Sequence, residues 1–370
     1  MLQCPELSLY VHIPFCVSKC PYCSFAVAAG QLQREAEYCT ALAREAVPEG
    51  RRLRTVYIGG GTPSCLSEGA IERLFQDIRR RFNIVDGAEV TFELNPESVT
   101  LNQARLLKSL GVNRVSLGVQ SLNDRTLEAL GRPHRCAETR RAFHILRAAG
   151  FVNINVDLIY GLPGQSRDDV LSDLAGILEL NSEHVSLYAL NIEERSLFFA
   201  RRMEVDNDAQ GELYGEVCRR MEVQGVAQYE ISNFARSGAE ARHNMNYWQG
   251  GEYLGLGMSA HSYIDGERFW NADTLPKYLA LMAGTGTARA GAERLAGQES
   301  LVEHFLFGLR MNRGVDLGAL EQRFGREMAF EKKEALTSFM ELGLLEESGE
   351  HIRATARGRL VLDEISARIV

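Results

Sequence analysis

Short runs that are apolar on both faces recur through the first half of the chain: LSLYVHI (7–13), TVYIGG (55–60), EVTFELN (89–95), RVSLGVQ (114–120), INVDLIYG (154–161) and HVSLYAL (184–190). Such runs predict strands covered on both sides. Between them, AIERLFQDIRRRF (70–82), LNQARLLKSLG (101–111) and TRRAFHILRAAG (139–150) carry helical spacing, and a glycine closes the last two. Strand, helix, strand in repetition means crossover connections and a parallel sheet. Six such units either curl into a partial (β/α)6 barrel or lie flat as a doubly wound sheet. Both architectures hold ligands at the carboxyl ends of their strands. Polar and glycine positions collect there: the GGGTP run, Glu93, Gln120 and Asp157. The partial barrel is the expected form.

The pattern changes near residue 225 to glycine- and aromatic-rich sequence, AQYEISNFARSGAEARHNMNYWQGGEYLGLGMSAHSYI, which predicts irregular strand and loop packed on the barrel. The last seventy or so residues are helical again. Helix, turn, two brief strands around Ser348–Gly349 and a closing helix predict a small winged-helix-like domain. The expected organisation is therefore a barrel over 1–225, an extension over 226–290 and a carboxyl-terminal domain over 291–370.

Composition narrows the function classes. With 45% hydrophobic and 24% charged residues the chain is ordinary globular material, not disordered or coiled-coil sequence. A net charge of −8 argues against general nucleic-acid binding, and acidic residues outnumber basic ones in the winged segment too. No stretch reaches the ~20 apolar residues of a membrane helix, and the amino terminus lacks a secretory pattern, so a cytoplasmic protein is expected.

Of eight cysteines, Cys16, Cys20 and Cys23 fall within eight residues, while Cys4, Cys39, Cys65, Cys136 and Cys218 are scattered. In a reducing compartment clustered thiols read as metal ligands and scattered ones as small core residues. A CVSKCPYC loop can wrap one corner of a [4Fe–4S] cubane, giving three thiolates to three irons and leaving the fourth iron open. Structural zinc is the alternative, but it takes four closed ligands and no second paired set exists; His12 is the one residue that could complete it. The glycines of IGGGTPS, taken alone, are either a tight turn or a place where backbone approaches a ligand. Glu93, Gln120, Arg132 and Asp157 are each either capping residues or ligand contacts, and their joint position at strand ends favours contact.

The C-x-x-x-C-x-x-C spacing after a strand resembles the signature of the radical SAM superfamily. YVHIPFCVSKCPYCSF, IGGGTPS, LGVQS, GRPH, DLIYGLPGQ and HNMNYW together resemble one branch of it, which holds the oxygen-independent coproporphyrinogen III oxidases and the HemW-type heme chaperones. The resemblance covers essentially the whole chain. It implies that the open iron chelates S-adenosylmethionine (SAM). Tyr10, Tyr22, Gly60, Gly61, Thr62, Glu93, Gln120, Arg132 and Asp157 are the positions it assigns to that cofactor.

Two features separate the two activities. The oxidases carry a further cysteine two residues beyond the third, where this chain has Phe25, and they carry a longer amino-terminal extension. HNMNYW, His243 to Trp248, matches the HNxxYW motif associated with heme in the chaperone group. A neutral imidazole is the commonest axial ligand of heme iron and flanking aromatics can stack on a macrocycle. From the residues alone, His243 bonded within a loop over a core of Tyr247 and Trp248 is the slightly stronger reading; the resemblance makes His243 the expected heme ligand and His261 a weaker second. The resemblance thus implies a heme carrier serving apo-hemoproteins, plausibly respiratory ones at the membrane, with homodimer formation left open. The rival readings are the oxidase and a binding module whose cluster is only structural.

Overall fold

The structure, a computed structural model, describes residues 6–48, 50–295, 297–327 and 336–369. Cys4 and the expected helical start at Phe330 lie outside the described residues. Six parallel strands appear where the apolar runs predict them: β1 (Glu6–Ile13), β2 (Arg52–Gly60), β3 (Asn83–Leu94), β4 (Arg114–Gln120), β5 (Ile154–Tyr160) and β6 (His184–Ala189). They pair in that order, all parallel. The crossover helices include α1 (Glu35–Arg44), α2 (Glu68–Arg81), α3 (Leu101–Ser109), α4 (Cys136–Ala148) and α5 (Arg167–Leu180). Ser67, Thr100 and Ser166 cap α2, α3 and α5 through their hydroxyls, which satisfies amide donors that the helix leaves free.

The sheet is curled. One cavity of about 410 Å³ is lined from five successive strands, by Tyr57, Glu93, Ser116, Asp157 and Tyr188 among others. In a flat sheet the first and fifth of these strands would stand roughly 19 Å apart. Curling brings their inward side chains together over the strands' carboxyl ends, as expected of the partial barrel.

Two features escape the periodicity. Tyr253–Leu256 returns to pair parallel with β1, so the sheet grows on its first edge and continues there through antiparallel strands. The HNMNYW segment is not loop but a short helix, α7 (Arg242–Trp248), with α6 (Asn207–Val223) preceding it. Beyond residue 300, a separate apolar cluster joins Leu301, Phe305, Leu345, Ile352 and Ile365. Strands Leu345–Ser348 and His351–Ala354 form the wing, with Val315–Asp316 as its third strand. Among the described residues no helix is long and apolar enough to cross a membrane.

Candidate functional site

The cysteine loop follows β1 directly. Phe15–Cys16 pairs parallel with Ala28–Ala29, closing the loop into a flap over the barrel mouth. Cys16, Cys20 and Cys23 are free, half-buried thiols that line the one cavity. Burial pushes the Cys16 and Cys23 thiols up, so without a metal they stay protonated. Arg132 reaches in from the loop after β4: it donates to Cys20 Sγ at 3.7 Å and to Asn95 Oδ1 at 2.8 Å, while its buried Nε has no partner. A guanidinium with a spare buried donor beside three thiols suits an anionic group bound there. The three thiols line one cavity, and a cubane takes its thiolates on separate irons. The donor set therefore fits the cluster.

The glycine run is pressed against this flap. Gly61 N–H donates to Ile13 O at 2.8 Å and Thr62 N–H to Phe15 O at 2.8 Å. A Cβ on Gly61 would lie 2.7 Å from Phe15 O, and one on Gly60, whose φ is +117°, would strike the His12 ring at 2.6 Å. The glycines serve close packing of the flap and also line the cavity with Thr62, whose hydroxyl stands 3.4 Å from Cys16 Sγ.

Glu93 and Asp157 form the acidic floor. Glu93 accepts from Tyr57 Oη at 2.7 Å and from the Gly60 amide at 3.1 Å. Asp157 accepts from Ser116 Oγ at 2.9 Å and Asn155 Nδ2 at 2.7 Å. Burial, opposed by the Tyr57 bond and helped by the Asp157 charge, raises the Glu93 carboxyl to about 7, and burial raises Asp157 as well. The buried Arg114 guanidinium beneath them acts against both shifts. Gln120 closes the side of the cavity in the left-handed region, φ 66°, a conformation that a non-glycine residue holds only where its surroundings enforce it.

A carboxyl raised on folding binds its proton more tightly in the native state. Glu93's stabilising contribution is therefore present at low pH and lost as pH rises through about 7. We expect the thermal midpoint of the ligand-free chain to fall as pH rises from about 5 to about 7, and Glu93→Gln to flatten that fall. An unchanged slope in the variant would place the titration elsewhere.

The expected site residues do not all meet. Tyr22, Gly60, Gly61, Thr62, Glu93, Gln120, Arg132 and Asp157 share the cavity with the three cysteines. Tyr10 does not reach it: it lies behind Tyr57, ring centroids 6.1 Å apart, and its hydroxyl bonds His12 Nδ1. His243 lies lower still, inside the barrel at its amino-terminal end, and is 1% exposed. Its Nδ1 bonds Thr55 Oγ1 at 2.7 Å and its Nε2 bonds Tyr247 Oη at 2.9 Å. Burial and the Arg114 and Arg54 charges lower it to about 3, so it is neutral. In this conformation neither nitrogen is free for iron, which departs from the expected ligand role. The reason is the helix: spacing of three and four residues turns His243, Asn246 and Tyr247 inward together. His261 is exposed on the strand His261–Ile264, stacked on Trp270.

With this geometry in hand, residues 10–175 match the family model described as Radical SAM superfamily, and 295–361 match the HemN C-terminal domain. The chain is 35% identical to the Heme chaperone HemW of Bacillus subtilis (strain 168), over 97% of each sequence. It is 39% identical to that of Escherichia coli (strain K12), over 71% of this chain and 72% of the relative. The chain belongs to the HemW family of radical SAM proteins. In structure it is similar to coproporphyrinogen III oxidase (HemN) from Escherichia coli, described as a radical SAM enzyme: TM-score 0.87 and 27% identity, covering 99% of this chain and 90% of that one. A radical SAM domain implies S-adenosylmethionine and a [4Fe–4S] cluster.

Within this family member the cavity holds residues that sequence reasoning missed: Tyr57, Asn95, Glu97, Ser116 and Tyr188. Asn95 and Glu97 lie in the same FELNPES stretch as Glu93, just past the end of β3, and that place at a strand's carboxyl end was a usable signal. Ser116 and Tyr188 carry no local mark, because only the curl turns them toward the cysteines.

Proposed function

We propose that this chain is a heme chaperone that binds heme reversibly and transfers it to apo-hemoproteins, with a SAM-chelated [4Fe–4S] cluster in its barrel mouth. The observation that carries the reading is the 35% identity to a relative named Heme chaperone HemW along 97% of both chains. Cys16, Cys20 and Cys23 would hold the cluster, and the glycine run, Thr62, Glu93, Gln120, Arg132 and Asp157 would hold the cofactor. The bound cofactor supplies a chelating amino and carboxylate pair to the open iron. The chain's own part is to keep that pair oriented and dry: Arg132 offers positive charge near the thiolates, and Glu93 and Asp157 offer negative charge opposite.

The mouth cavity, about 410 Å³, is of the size that receives one cofactor-sized ligand. Phe25 stands 66% exposed at its rim, at the position of the oxidases' further cysteine. Both features favour carriage over porphyrinogen chemistry. The acceptors are proposed to be hemoproteins, plausibly respiratory ones, met in the cytoplasm or at the membrane surface. Release needs an acceptor with the better ligand set, since a carrier that never lets go delivers nothing. The test is transfer: hemin-loaded chain mixed with an apo-b-type cytochrome should lose its Soret band as the acceptor gains one. Heme retained in the presence of excess apo-acceptor would defeat the reading.

A further inference from the structure

The buried side chains of the barrel strands alternate. Val90, Val115, Val156 and Val185 belong to the apolar core outside the sheet, while Thr91, Arg114, Asn155 and His184 turn into the barrel. The interior of a parallel barrel is ordinarily filled with branched apolar side chains. This lumen is polar instead, and its neutral members bond one another. Tyr229 Oη donates to His184 Nε2 at 2.8 Å, His184 Nδ1 donates to Asn155 Oδ1 at 2.6 Å, and Asn155 Nδ2 donates to Asp157.

Arg114 does not join that chain. It is 2% exposed, its Nε has no hydrogen-bond partner, and among the described residues it forms no ion pair. The strand register fixes its place. Arg114 stands beside Thr91, and Ser116 stands beside both Glu93 and Asn155. The arginine therefore enters the lumen one inward step below Glu93 and two below Asp157. A buried guanidinium is tolerated only near opposite charge.

The other groups facing this space leave it little choice of counter-charge. Glu89 is turned to the start of helix α7, where it accepts from the Arg242 and His243 amides at 2.9 and 3.0 Å. Glu230 faces Arg310 at 3.8 Å. His12, His184 and His243 are neutral, lowered chiefly by burial, and the Arg114 charge acts in the same direction on the last two. Burial keeps the phenols of Tyr10, Tyr57, Tyr188 and Tyr229 protonated. Glu93 and Asp157 in turn take their hydrogen bonds from uncharged donors: Tyr57, the Gly60 amide, Ser116 and Asn155.

We propose that Arg114 is a positioning residue of the cofactor pocket, supplying from inside the lumen the counter-charge that keeps the Glu93–Asp157 floor anionic toward a cationic ligand. It does not line the pocket and touches nothing bound there. The inference rests on the reading that this floor faces SAM, whose sulfonium is a permanent cation, and adds the residue that maintains the floor's charge. Without Arg114, two neighbouring buried carboxyls would each hold a proton more tightly, and a neutral floor attracts no cation.

The test compares wild type with Arg114→Met and Arg114→Lys in two measurements. The first is thermal melting of the ligand-free chain from about pH 5 to about pH 9. In wild type the midpoint falls as pH rises to about 7. In Arg114→Met the carboxyls stay protonated longer, so the fall should extend upward by about one pH unit. At the acid end this variant should be at least as stable as wild type, because an apolar side chain replaces an unpaired buried charge. The second measurement is equilibrium dialysis of SAM against cluster-loaded protein. Near pH 7.5 Arg114→Met should bind about tenfold more weakly, and the deficit should close as pH is raised. Arg114→Lys keeps the charge and should retain both wild-type profiles. Equal weakening at every pH in either variant, or wild-type profiles in Arg114→Met, would leave Arg114 a packing residue and overturn the inference, with the cofactor reading intact. If cluster-loaded wild type binds no SAM, the cofactor reading fails and takes the inference with it.

Discussion

Cys20→Ala is expected to bring iron and sulfide in anaerobically reconstituted protein from about four per chain to near zero, with loss of the brown absorbance. Three thiols serve a cubane that has no fourth local ligand, so removing one leaves two anchors and exposes two irons. Arg132 makes the loss sharper: its Nη1 contacts Cys20 Sγ, and with that thiolate gone the buried guanidinium loses an anionic neighbour. Cys65→Ser is the matched control. Cys65 lies near Cys16, but its thiol is aimed at Phe15 O, 3.8 Å away, and it does not line the cavity. We expect Cys65→Ser to reconstitute fully. Hemin binding should survive in Cys20→Ala, because that thiol serves the cluster loop and not the HNMNYW helix. Full iron loading in Cys20→Ala would mean that the cluster, if present, is held elsewhere.

His243→Ala should destabilise the fold by about 3 kcal/mol or more, read as a lower denaturation midpoint at unchanged slope. The ring is fully buried and bonded at both nitrogens, and it packs on Tyr57 at 5.1 Å and Tyr247 at 5.0 Å between centroids. Its removal leaves a cavity, unpaired hydroxyls on Thr55 and Tyr247, and a helix detached from the barrel floor. Held neutral by burial, the ring costs the fold no charge at ordinary pH. His243→Gln keeps one hydrogen bond and much of the volume, so it should fold and bind hemin with an unchanged Soret band. A folded Gln variant without that band would return the iron to His243 and show that the helix opens to receive heme.

The two variants probe what was legible in the sequence to different degrees. The cysteine flap was legible because its chemistry is local: three thiols on one loop, one strand before a glycine run. The strand ends were legible for the same reason, since an apolar run fixes where a strand stops and which residue follows it. Arg114 was not, because a buried arginine in RVSLGVQ has meaning only once the sheet curls and sets it beneath Glu93 and Asp157. Tyr10 shows the same limit. Its register partner on β2 is Tyr57, so both rings share the inward face, and it is the Tyr57 ring that lines the cavity. For HNMNYW the surrounding glycines predict loop, yet inward residues at 243, 246 and 247 are helically spaced. The choice between flat and curled sheet needed contacts between distant strands, which periodicity does not contain.

That the protein carries heme and does not make porphyrin is tested most directly by supplying the oxidase substrate. Reconstituted, reduced protein should be held without oxygen alongside coproporphyrinogen III and SAM, and the tetrapyrrole pool followed over time. The account predicts that the substrate's propionates stay intact throughout, while the same preparation passes hemin to an apo-cytochrome. Successive release of carbon dioxide with protoporphyrinogen accumulating over many turnovers would contradict it.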